Sequence, residues 1–320
     1  MLNLEIVDGA RVRACLPMAV CIQTMAGVLA AIARGEIEVP QRLKVELADG
    51  EAQLLAMPGA LADPAVLGAK LISLFPGNPA QERPAVQGVI VLFDPNTGAP
   101  TALLDAASLT AIRTAAASAA ASEVLARDDA HVLALLGCGV QAETHLEAML
   151  AVRPIDRVLV WGRSQSKART FAEWHALKYE LPIEVAPTAQ AAVEAADLIC
   201  TLTHSPTPIL QGAWLQPGSH LNLVGAHTPT TREADTAAVH RARVFVEARA
   251  AAWKEAGDLV IPLQEGAIDQ GHVIGEIGQV ILGQVVGRQA RQDVTLYKSL
   301  GNSAQDLAAA REVLQQLRKP

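Results

Sequence analysis

The stretch of this sequence best suited to chemistry is a glycine turn at residues 137–142, Gly-Cys-Gly-Val-Gln-Ala. Gly137 and Gly139 allow a tight turn because no Cβ stands in the way, and Ala142 takes the place of the third small residue in the pattern G-x-G-x-x-G/A. In that pattern the first backbone N–H groups of the following helix bind the pyrophosphate of a dinucleotide. The turn therefore predicts a dinucleotide site.

The elements that must position this turn can be read on both sides of it. Val132–Leu136 is an unbroken apolar run, typical of a parallel strand that is covered on both faces, and a helical spacing of apolar residues starts at about Val140. A second strand, Arg157–Trp161, follows at the distance expected in a βαβ unit. The fold class we predict is α/β, with a doubly wound Rossmann domain that binds NAD(P).

The end of the second strand indicates which dinucleotide is bound. It reads Gly162-Arg163-Ser164, at the position, about 20 residues after the turn, where NAD-binding proteins carry an acidic residue for the ribose hydroxyls. An arginine beside a hydroxyl instead suits a 2′-phosphate. We expect NADP(H) as the preferred cofactor and NAD(H) as the alternative.

The first 112 residues predict a different organisation. A helix over Met18–Ala33 precedes a meander of antiparallel strands, of which one runs from Glu51 to Met57 and ends at Pro58-Gly59. Another, residues 67–75, carries Lys70 inside an otherwise apolar run. A last helix, about 304–318, is expected to pack back on this part. We divide the chain into an α+β domain, residues 1–114 and 290–320, and the Rossmann domain, residues 115–289.

Composition and charge exclude several function classes. The net charge is −7 with no basic block, which argues against a nucleic-acid partner. No apolar run reaches the length of a membrane span and the N-terminus lacks the pattern of a secretory signal, so we expect a cytoplasmic protein without membrane contact. The four cysteines form no C-x-x-C and the eight histidines no ligand spacing, so we predict no metal.

Several stretches together resemble the ornithine cyclodeaminase/mu-crystallin family. The resemblance covers nearly the whole chain, in the right order. It implies that an α+β domain, completed by the C-terminal end, binds substrate and forms a homodimer, while a Rossmann domain binds NAD(P). The motifs that carry it are Arg113-Thr-Ala-Ala-Ala-Ser-Ala, Leu136-Gly-Cys-Gly-Val-Gln-Ala, Trp161-Gly-Arg-Ser, Gly218-Ser-His-Leu-Asn-Leu-Val-Gly-Ala and Thr295-Leu-Tyr-Lys-Ser-Leu-Gly.

The resemblance also implies site residues. The family holds the substrate carboxylate with two arginines and a lysine, and the matching positions are Arg42, Lys70 and Arg113. Guanidinium groups grip a carboxylate at two points, and an ammonium adds a point charge. The implied cofactor-binding residues, with Gly137 of the turn, are Thr114, Gly139, Val140, Gln141, Arg163, Ser164, Thr203, Leu223, Val224 and Ser299.

One departure from the family pattern bears on the reaction. Cyclodeaminases of this family carry an aspartate directly after a Val-Gly pair, whereas this sequence reads Val224-Gly-Ala-His227. Together with Arg163, the change favours the imine reductases of the family, which consume NADPH. The resemblance then implies reduction of Δ1-pyrroline-2-carboxylate to L-proline and of Δ1-piperideine-2-carboxylate to L-pipecolate, in proline metabolism and lysine degradation. The catalytic residues we expect are Lys70 and His227, a candidate to protonate the ring nitrogen.

Three other functions stay open on the sequence. A cyclodeaminase that tolerates His227 would release ammonia from ornithine without added NADPH. A dehydrogenase that forms an open-chain amino acid such as alanine would oxidise NADPH with pyruvate and ammonia. A non-catalytic NADPH-dependent binding protein, resembling mu-crystallin, would fail to oxidise NADPH whichever imine is supplied.

Overall fold

A computed structural model of the chain describes residues 4–47, 52–81 and 83–319. They separate into two compact units, Met1–Thr114 with Gly301–Pro320 and Ala115–Leu300. Glu51, the predicted start of one strand, lies outside the described residues.

The elements are numbered in chain order. The strands are β1 (Glu5–Val7), β2 (Leu43–Glu46), β3 (Gln53–Ala62), β4 (Ala65–Leu74), β5 (Val86–Phe93), β6 (Pro100–Asp105), β7 (Val132–Leu136), β8 (Arg157–Trp161), β9 (Ile183–Val185), β10 (Leu198–Thr201), β11 (His220–Leu223), β12 (Arg243–Val246), β13 (Val273–Glu276) and β14 (Thr295–Lys298). The helices are α1 (Gly9–Cys15), α2 (Met18–Ala33), α3 (Ala106–Leu125), α4 (Val140–Val152), α5 (Gln165–Tyr179), α6 (Ala189–Glu194), α7 (Thr236–Arg241), α8 (Arg249–Glu255), α9 (Gly257–Gln264), α10 (Ile277–Ile281) and α11 (Ser303–Leu317).

The first unit is built on a six-stranded sheet in the order β1-β6-β5-β4-β3-β2. Strands β2 to β6 form the predicted antiparallel meander, and β1 adds to its edge parallel to β6. Helix α11 packs on β3, β4 and β5, and α2 packs on α11. The predicted return of the last helix to the first part of the chain is therefore confirmed.

Strand β3 extends further than the sequence predicts. We expected the strand to end at Pro58-Gly59, but both residues lie inside β3, opposite Ala69 and Gly68 of β4. Proline is tolerated there because β2 pairs with β3 only as far as Ala56, so no ladder on that side is interrupted. A Cβ on Gly59 would lie 2.7 Å from Ser303 Oγ, so the glycine permits the close approach of α11.

The second unit contains an eight-stranded parallel sheet in the order β13-β12-β14-β11-β10-β7-β8-β9. The sequence-based prediction of a doubly wound Rossmann domain is confirmed. The strand order reverses between β7 and β10, because the chain first builds outward through β8 and β9 and then returns to the other side of β7. In open α/β sheets, ligands bind at the carboxyl ends of the strands beside such a switch point.

The boundary predicted at residue 290 is wrong by about ten residues, since residues 290–300 belong to the second unit. Strand β14 inserts between β11 and β12, and all four of its residues are buried. A strand buried on both faces needs neighbours and cover on every side, and the parallel sheet supplies them.

Within the described ranges no single helix is long and apolar enough to cross a membrane. Helices α1 and α2, bent by 83° at their junction, pass that test of length and composition only when taken as a pair.

Candidate active site

The glycine turn lies at the carboxyl end of the first strand of the parallel sheet. All five residues of β7 are buried. Gly137 follows with φ +132°, and a Cβ there would lie 2.8 Å from the Leu202 carbonyl oxygen. Only glycine fits this conformation and this approach of the chain that leaves β10.

The turn leaves an open cradle at the start of α4. Gly139 is the N-cap and makes no side-chain capping bond, and a Cβ on it would meet no atom within 4 Å. The first N–H groups of α4 are therefore available to an anion. Ala142 is completely buried one turn later, as close packing of helix and strand requires. Val140 is exposed, and the Gln141 Oε1 atom is buried with no partner among the described residues.

The end of β8 brings cationic and hydroxyl groups beside the turn. A Cβ on Gly162 would lie 2.9 Å from Cys138 Sγ, so the two segments nearly touch. Arg163 is exposed and has no hydrogen-bond or ion-pair partner among the described residues. Ser164 caps α5 by accepting from the Lys167 N–H. Burial raises the pKa of the Cys138 thiol, and the positive charge of Lys167 opposes that shift.

The carboxyl ends of β10 and β11 are tied together by one buried side chain. Glu233 Oε1 accepts from Thr203 N (2.7 Å) and Thr203 Oγ1 (2.6 Å), and its Oε2 accepts from Thr201 Oγ1 and Gly225 N, both at 2.7 Å. Burial raises the pKa of Glu233 while the threonine hydrogen bonds oppose that shift. Thr203, an expected cofactor ligand, thus directs its hydroxyl proton to the protein.

A buried ion pair between Lys298 and Asp258 supports the same edge of the sheet. Lys298 Nζ lies 3.0 Å from Asp258 Oδ2 and donates to the carbonyl oxygens of Leu223 (3.2 Å) and Ala226 (2.6 Å). Asp258 Oδ1 accepts from the Glu233 N–H at 2.8 Å. The two carboxylates and the ammonium therefore form one network that fixes the loops after β10 and β11.

The remaining expected cofactor residues have different surroundings. Ser299 is buried, donates its hydroxyl to Glu247 Oε1 at 3.1 Å and its N–H to the Leu223 carbonyl at 3.0 Å. Val224 is half-buried and donates its N–H to Thr201 O. Thr114 is buried in the first unit, at the last residue before the division. Of this set, the turn residues and Arg163 present open groups, whereas Ser299 and Thr203 are bonded to buried carboxylates.

His227 lies in the loop after β11. It is half-buried, and its Nδ1 is 3.0 Å from the Gly225 carbonyl oxygen. A carbonyl can only accept, so Nδ1 carries a proton in this arrangement and Nε2 is the ring atom at which a proton would be exchanged. The preceding Ala226 is buried, and it stands at the position where the family resemblance implies an aspartate in cyclodeaminases.

The first unit holds a buried cluster of cations. Lys70 Nζ lies 2.6 Å from Asp306 Oδ2, and Arg113 Nε donates to Asp306 Oδ1 at 2.8 Å. All three side chains are at most 5% exposed. Lys70 lies on the face of β4 covered by α11, where Gly68 removes the side chain that would block the helix. The structure therefore brings two of the three expected carboxylate-binding residues together around one aspartate.

Burial lowers the pKa of the Lys70 ammonium to about 8. The positive charges of Arg113 and Arg42 act in the same direction, whereas the Asp306 carboxylate opposes the shift. Lys70 therefore exchanges its proton close to neutral pH, unlike an exposed lysine.

The third expected residue, Arg42, joins this cluster at the start of α11. It donates from Nη2 to the Gly301 carbonyl oxygen at 3.0 Å. A Cβ on Gly301 would overlap Arg113 Nη1, so only glycine leaves room for that guanidinium. Gln305 accepts from Arg113 Nη1 at 3.0 Å. The amide nitrogens of Gln305 and Asn302 are buried and unpaired among the described residues, and unpaired donors beside cations fit an anionic ligand.

Sequence reasoning missed the carboxylates that organise both clusters. Glu233 lies in a loop, while Asp258 and Asp306 lie on α9 and α11. The local sequence pattern around each of them gives no sign of burial. One signal was available for Asp306, because a lysine within an apolar strand needs a buried counter-ion. The described residues contain no group of three or more His, Cys, Asp or Glu side chains placed to hold a metal.

Comparisons with known proteins identify the family. A model of the ornithine cyclodeaminase/mu-crystallin family matches residues 5–319. A Δ1-pyrroline-2-carboxylate reductase of Bacillus cereus is 36% identical over 273 residues, which make up 85% of this chain and 84% of that relative.

Two solved structures are similar over nearly the whole chain. Δ1-Pyrroline-2-carboxylate reductase of Thermococcus litoralis, in complex with NADH and L-proline, has a TM-score of 0.95 and 32% identity, covering 98% of this chain and 97% of that one. An archaeal alanine dehydrogenase dimer with bound NAD has a TM-score of 0.92 and 29% identity, covering 98% and 95%.

Proposed function

Because this chain belongs to the ornithine cyclodeaminase/mu-crystallin family, we propose that it is an NADPH-dependent reductase of cyclic ketimines. It converts Δ1-pyrroline-2-carboxylate to L-proline and Δ1-piperideine-2-carboxylate to L-pipecolate. The broader class, an oxidoreductase that acts on C=N bonds with a nicotinamide cofactor, is that of its named relatives. The observation that carries the proposal is the buried cluster of Lys70, Arg113 and Asp306.

The cation cluster supports a carboxylate substrate. Arg113 uses Nε and Nη1 for Asp306 and Gln305, and no described residue accepts from its Nη2. Lys70, Arg113 and Arg42 carry three positive charges, and Asp306 supplies a single negative charge against them. A monoanionic ring such as Δ1-pyrroline-2-carboxylate would offset part of this excess, and charge-assisted bonds to a carboxylate are among the strongest available in proteins.

The reaction divides between the cofactor and the side chains. The cofactor supplies a hydride to the imine carbon, while a proton on the ring nitrogen makes that carbon electrophilic. Lys70, Arg113 and Arg42 would hold the carboxylate and so fix the ring. His227 would protonate the ring nitrogen from Nε2, since Nδ1 is bonded to the Gly225 carbonyl. The C=N bond of the substrate would thereby become a CH–NH bond.

The groups at the end of β8 support NADPH as the reductant. Arg163 is an exposed cation with no partner among the described residues, and Ser164 and Lys167 lie beside it in the first turn of α5. Both a guanidinium and an ammonium bind phosphate well, and no acidic residue stands at this position to hold ribose hydroxyls. Gly139, with no atom within 4 Å of a Cβ, leaves space for the pyrophosphate.

The outer face of the first unit's sheet supports a homodimer. Alternate residues of neighbouring strands expose large apolar side chains on the face opposite α11, a pattern that marks interfaces. They are Leu43, Val45, Leu54, Leu67, Leu71 and Val89. We propose that two copies of the chain cover this face mutually. As the compartment we propose the cytoplasm, with its NADPH pool.

The test follows NADPH absorbance with each ketimine, with NADH in parallel. The proposal expects rapid loss of NADPH with at least one ring size. Ammonia released from ornithine without added NADPH would show a cyclodeaminase instead, and oxidation that requires pyruvate and ammonia would show an alanine dehydrogenase. No oxidation with any imine would show a binding protein.

A further inference from the structure

Asp306 is the one residue of the described cation cluster that contacts both of its innermost charges. Its two oxygens are divided between them, with Oδ2 at 2.6 Å from Lys70 Nζ and Oδ1 at 2.8 Å from Arg113 Nε. The side chain is completely buried in the first turn of α11. Both oxygens of Asp306 are taken up by these contacts, so it is not free to bind substrate, yet it contacts two of the three cations proposed to do so.

We propose that Asp306 is a positioning residue, which fixes the spacing of the Lys70 ammonium and the Arg113 guanidinium and keeps Lys70 charged for substrate binding. The proposal rests on the proposed function only in taking these cations as the holder of the substrate carboxylate. It assigns to Asp306 no contact with substrate or cofactor.

The first argument is geometric. Lys70 belongs to β4 and Arg113 to α3, so neither element fixes the other's side chain. Asp306 joins them from a third element, α11, whose N-terminus is fixed by a reciprocal capping box between Asn302 and Gln305. Gln305 also accepts from Arg113 Nη1. One turn of one helix thus sets the place of both cations, as two-point recognition of a carboxylate requires.

The second argument is electrostatic. Lys70, Arg113 and Arg42 are three like charges close enough to influence one another. A buried ammonium without a counter-ion is unfavourable, so its pKa falls and the group loses its proton. Among the groups that act on Lys70, Asp306 is the only one that favours the charged form. The thiol of Cys21 on α2 also faces Arg113, but burial raises its pKa to about 12, so it contributes no charge near neutral pH.

The consequence is a defined pH dependence. Because burial holds the pKa of Lys70 near 8 even with Asp306 present, substrate binding should weaken as the pH rises through that value. Removing the carboxylate charge removes the opposing effect, so the pKa of Lys70 falls further. The alkaline limb of kcat/KM should then move to lower pH.

The decisive variant is Asp306→Asn, which keeps an acceptor for Arg113 and removes the charge. We expect the alkaline limb to move down by about one unit or more, a tenfold loss of proton affinity, with a higher KM for the imine and an unchanged KM for NADPH. Glu312→Gln is the matched control: it removes a carboxylate from the same helix, where Glu312 contacts Gln316 instead. Its profile should superimpose on that of the wild type.

A readout independent of activity separates this proposal from the proposed function. In protein labelled with [¹³C]lysine, the Lys70 Cε resonance, identified by its loss in Lys70→Arg, reports the ammonium directly. Its titration midpoint should be lower in Asp306→Asn even if no ketimine is reduced. An unshifted midpoint with active enzyme would overturn the positioning role and leave the ketimine reductase intact.

Asp306→Glu is a second variant that tests the proposal if Asp306→Asn does not fold. It retains the charge on a longer side chain, so the alkaline limb should stay near that of the wild type while the imine KM rises because the cations are displaced. A wild-type KM in Asp306→Glu would contradict the geometric part of the proposal. A limb shifted as far as in Asp306→Asn would contradict the electrostatic part.

Discussion

Arg163 is the residue on which the choice of cofactor depends. It stands exposed at the end of β8 with Ser164 and Lys167 beside it. A bond between a charged donor and a phosphate contributes about 1.5–3 kcal/mol. Arg163→Ala should therefore raise the KM for NADPH roughly ten- to a hundredfold and leave the KM for NADH unchanged, as steady-state kinetics with both cofactors would measure.

The same strand offers the control for Arg163. Arg157 lies at the amino end of β8, paired on the surface with Glu184. Arg157→Ala removes an equal charge at the opposite edge of the sheet and should alter neither KM. Equal losses for NADPH and NADH in Arg163→Ala would refute its role as a reader of the 2′-phosphate.

His227 is the residue proposed to deliver the proton. General acid catalysis contributes about 10²–10⁴-fold to a rate, so His227→Ala should lower kcat by about that factor. Binding of NADPH, followed by its fluorescence, should stay at the wild-type level. His131→Ala, an exposed histidine before the amino end of β7, is the control. An unchanged kcat in His227→Ala would assign the proton to another donor.

At the scale of single residues, the sequence predicts those features that depend on the spacing of neighbouring residues along the chain. The glycine turn and the exposed Arg163 depend on neighbours along the chain, and the structure has both where the pattern indicates. Asp306 depends on partners about 190 and 240 residues away, and no local pattern records such a distance. The family resemblance therefore implies the cations, whereas nothing in the sequence names the carboxylate between them.

At the scale of elements, Glu233 holds the ends of β10 and β11 at the edge where the dinucleotide is expected. Its two oxygens accept four hydrogen bonds. In Glu233→Gln an amide group would face donors, and each buried donor left unpaired costs about 1–3 kcal/mol. We expect a lower Tm by thermal unfolding and weaker NADPH binding by fluorescence titration.

Glu194→Gln provides the comparison for that variant. Glu194 is exposed on α6 and accepts only from Gln190. Its substitution should leave both the Tm and the NADPH affinity close to the wild type. If Glu233→Gln lowers the Tm without weakening NADPH binding, the four hydrogen bonds of Glu233 stabilise the fold but do not shape the cofactor site.

Strands β3 and β14 show that the sequence predicts the presence of an element better than its length or its neighbours. Pro58 and Gly59 read as a turn, but β3 continues through them because one of its edges is unpaired there. Residues 290–320 are predicted to belong to the first domain, yet β14 pairs between β11 and β12. In both cases the deciding partner is distant in the sequence.

At the scale of the molecule, the apolar outer face of the first sheet predicts a dimer. Leu71 lies near its middle, opposite Ala56 and Val89 in the two neighbouring strands. Leu71→Glu places a charge in the proposed interface, and burying an unpaired charge is strongly unfavourable. Light scattering coupled to size-exclusion chromatography should show a dimer for the wild type and a monomer for Leu71→Glu.

Leu177 supplies the control for this experiment. It is 83% exposed on α5 of the second unit and belongs to no strand of the first sheet. Leu177→Glu should remain dimeric. A dimeric Leu71→Glu protein, or a monomeric wild type, would show that the apolar face is not the interface.

In the proposed reaction a hydride passes from the cofactor to the imine carbon of a cyclic ketimine. Isotope transfer tests this step: the enzyme is incubated with NADPH deuterated at the transferred position of the nicotinamide C4 and with Δ1-pyrroline-2-carboxylate. We expect L-proline that carries one deuterium at Cα, seen as a mass increase of one unit and the loss of the Cα proton signal by NMR. Unlabelled proline, or no proline at all, would contradict the proposed reaction.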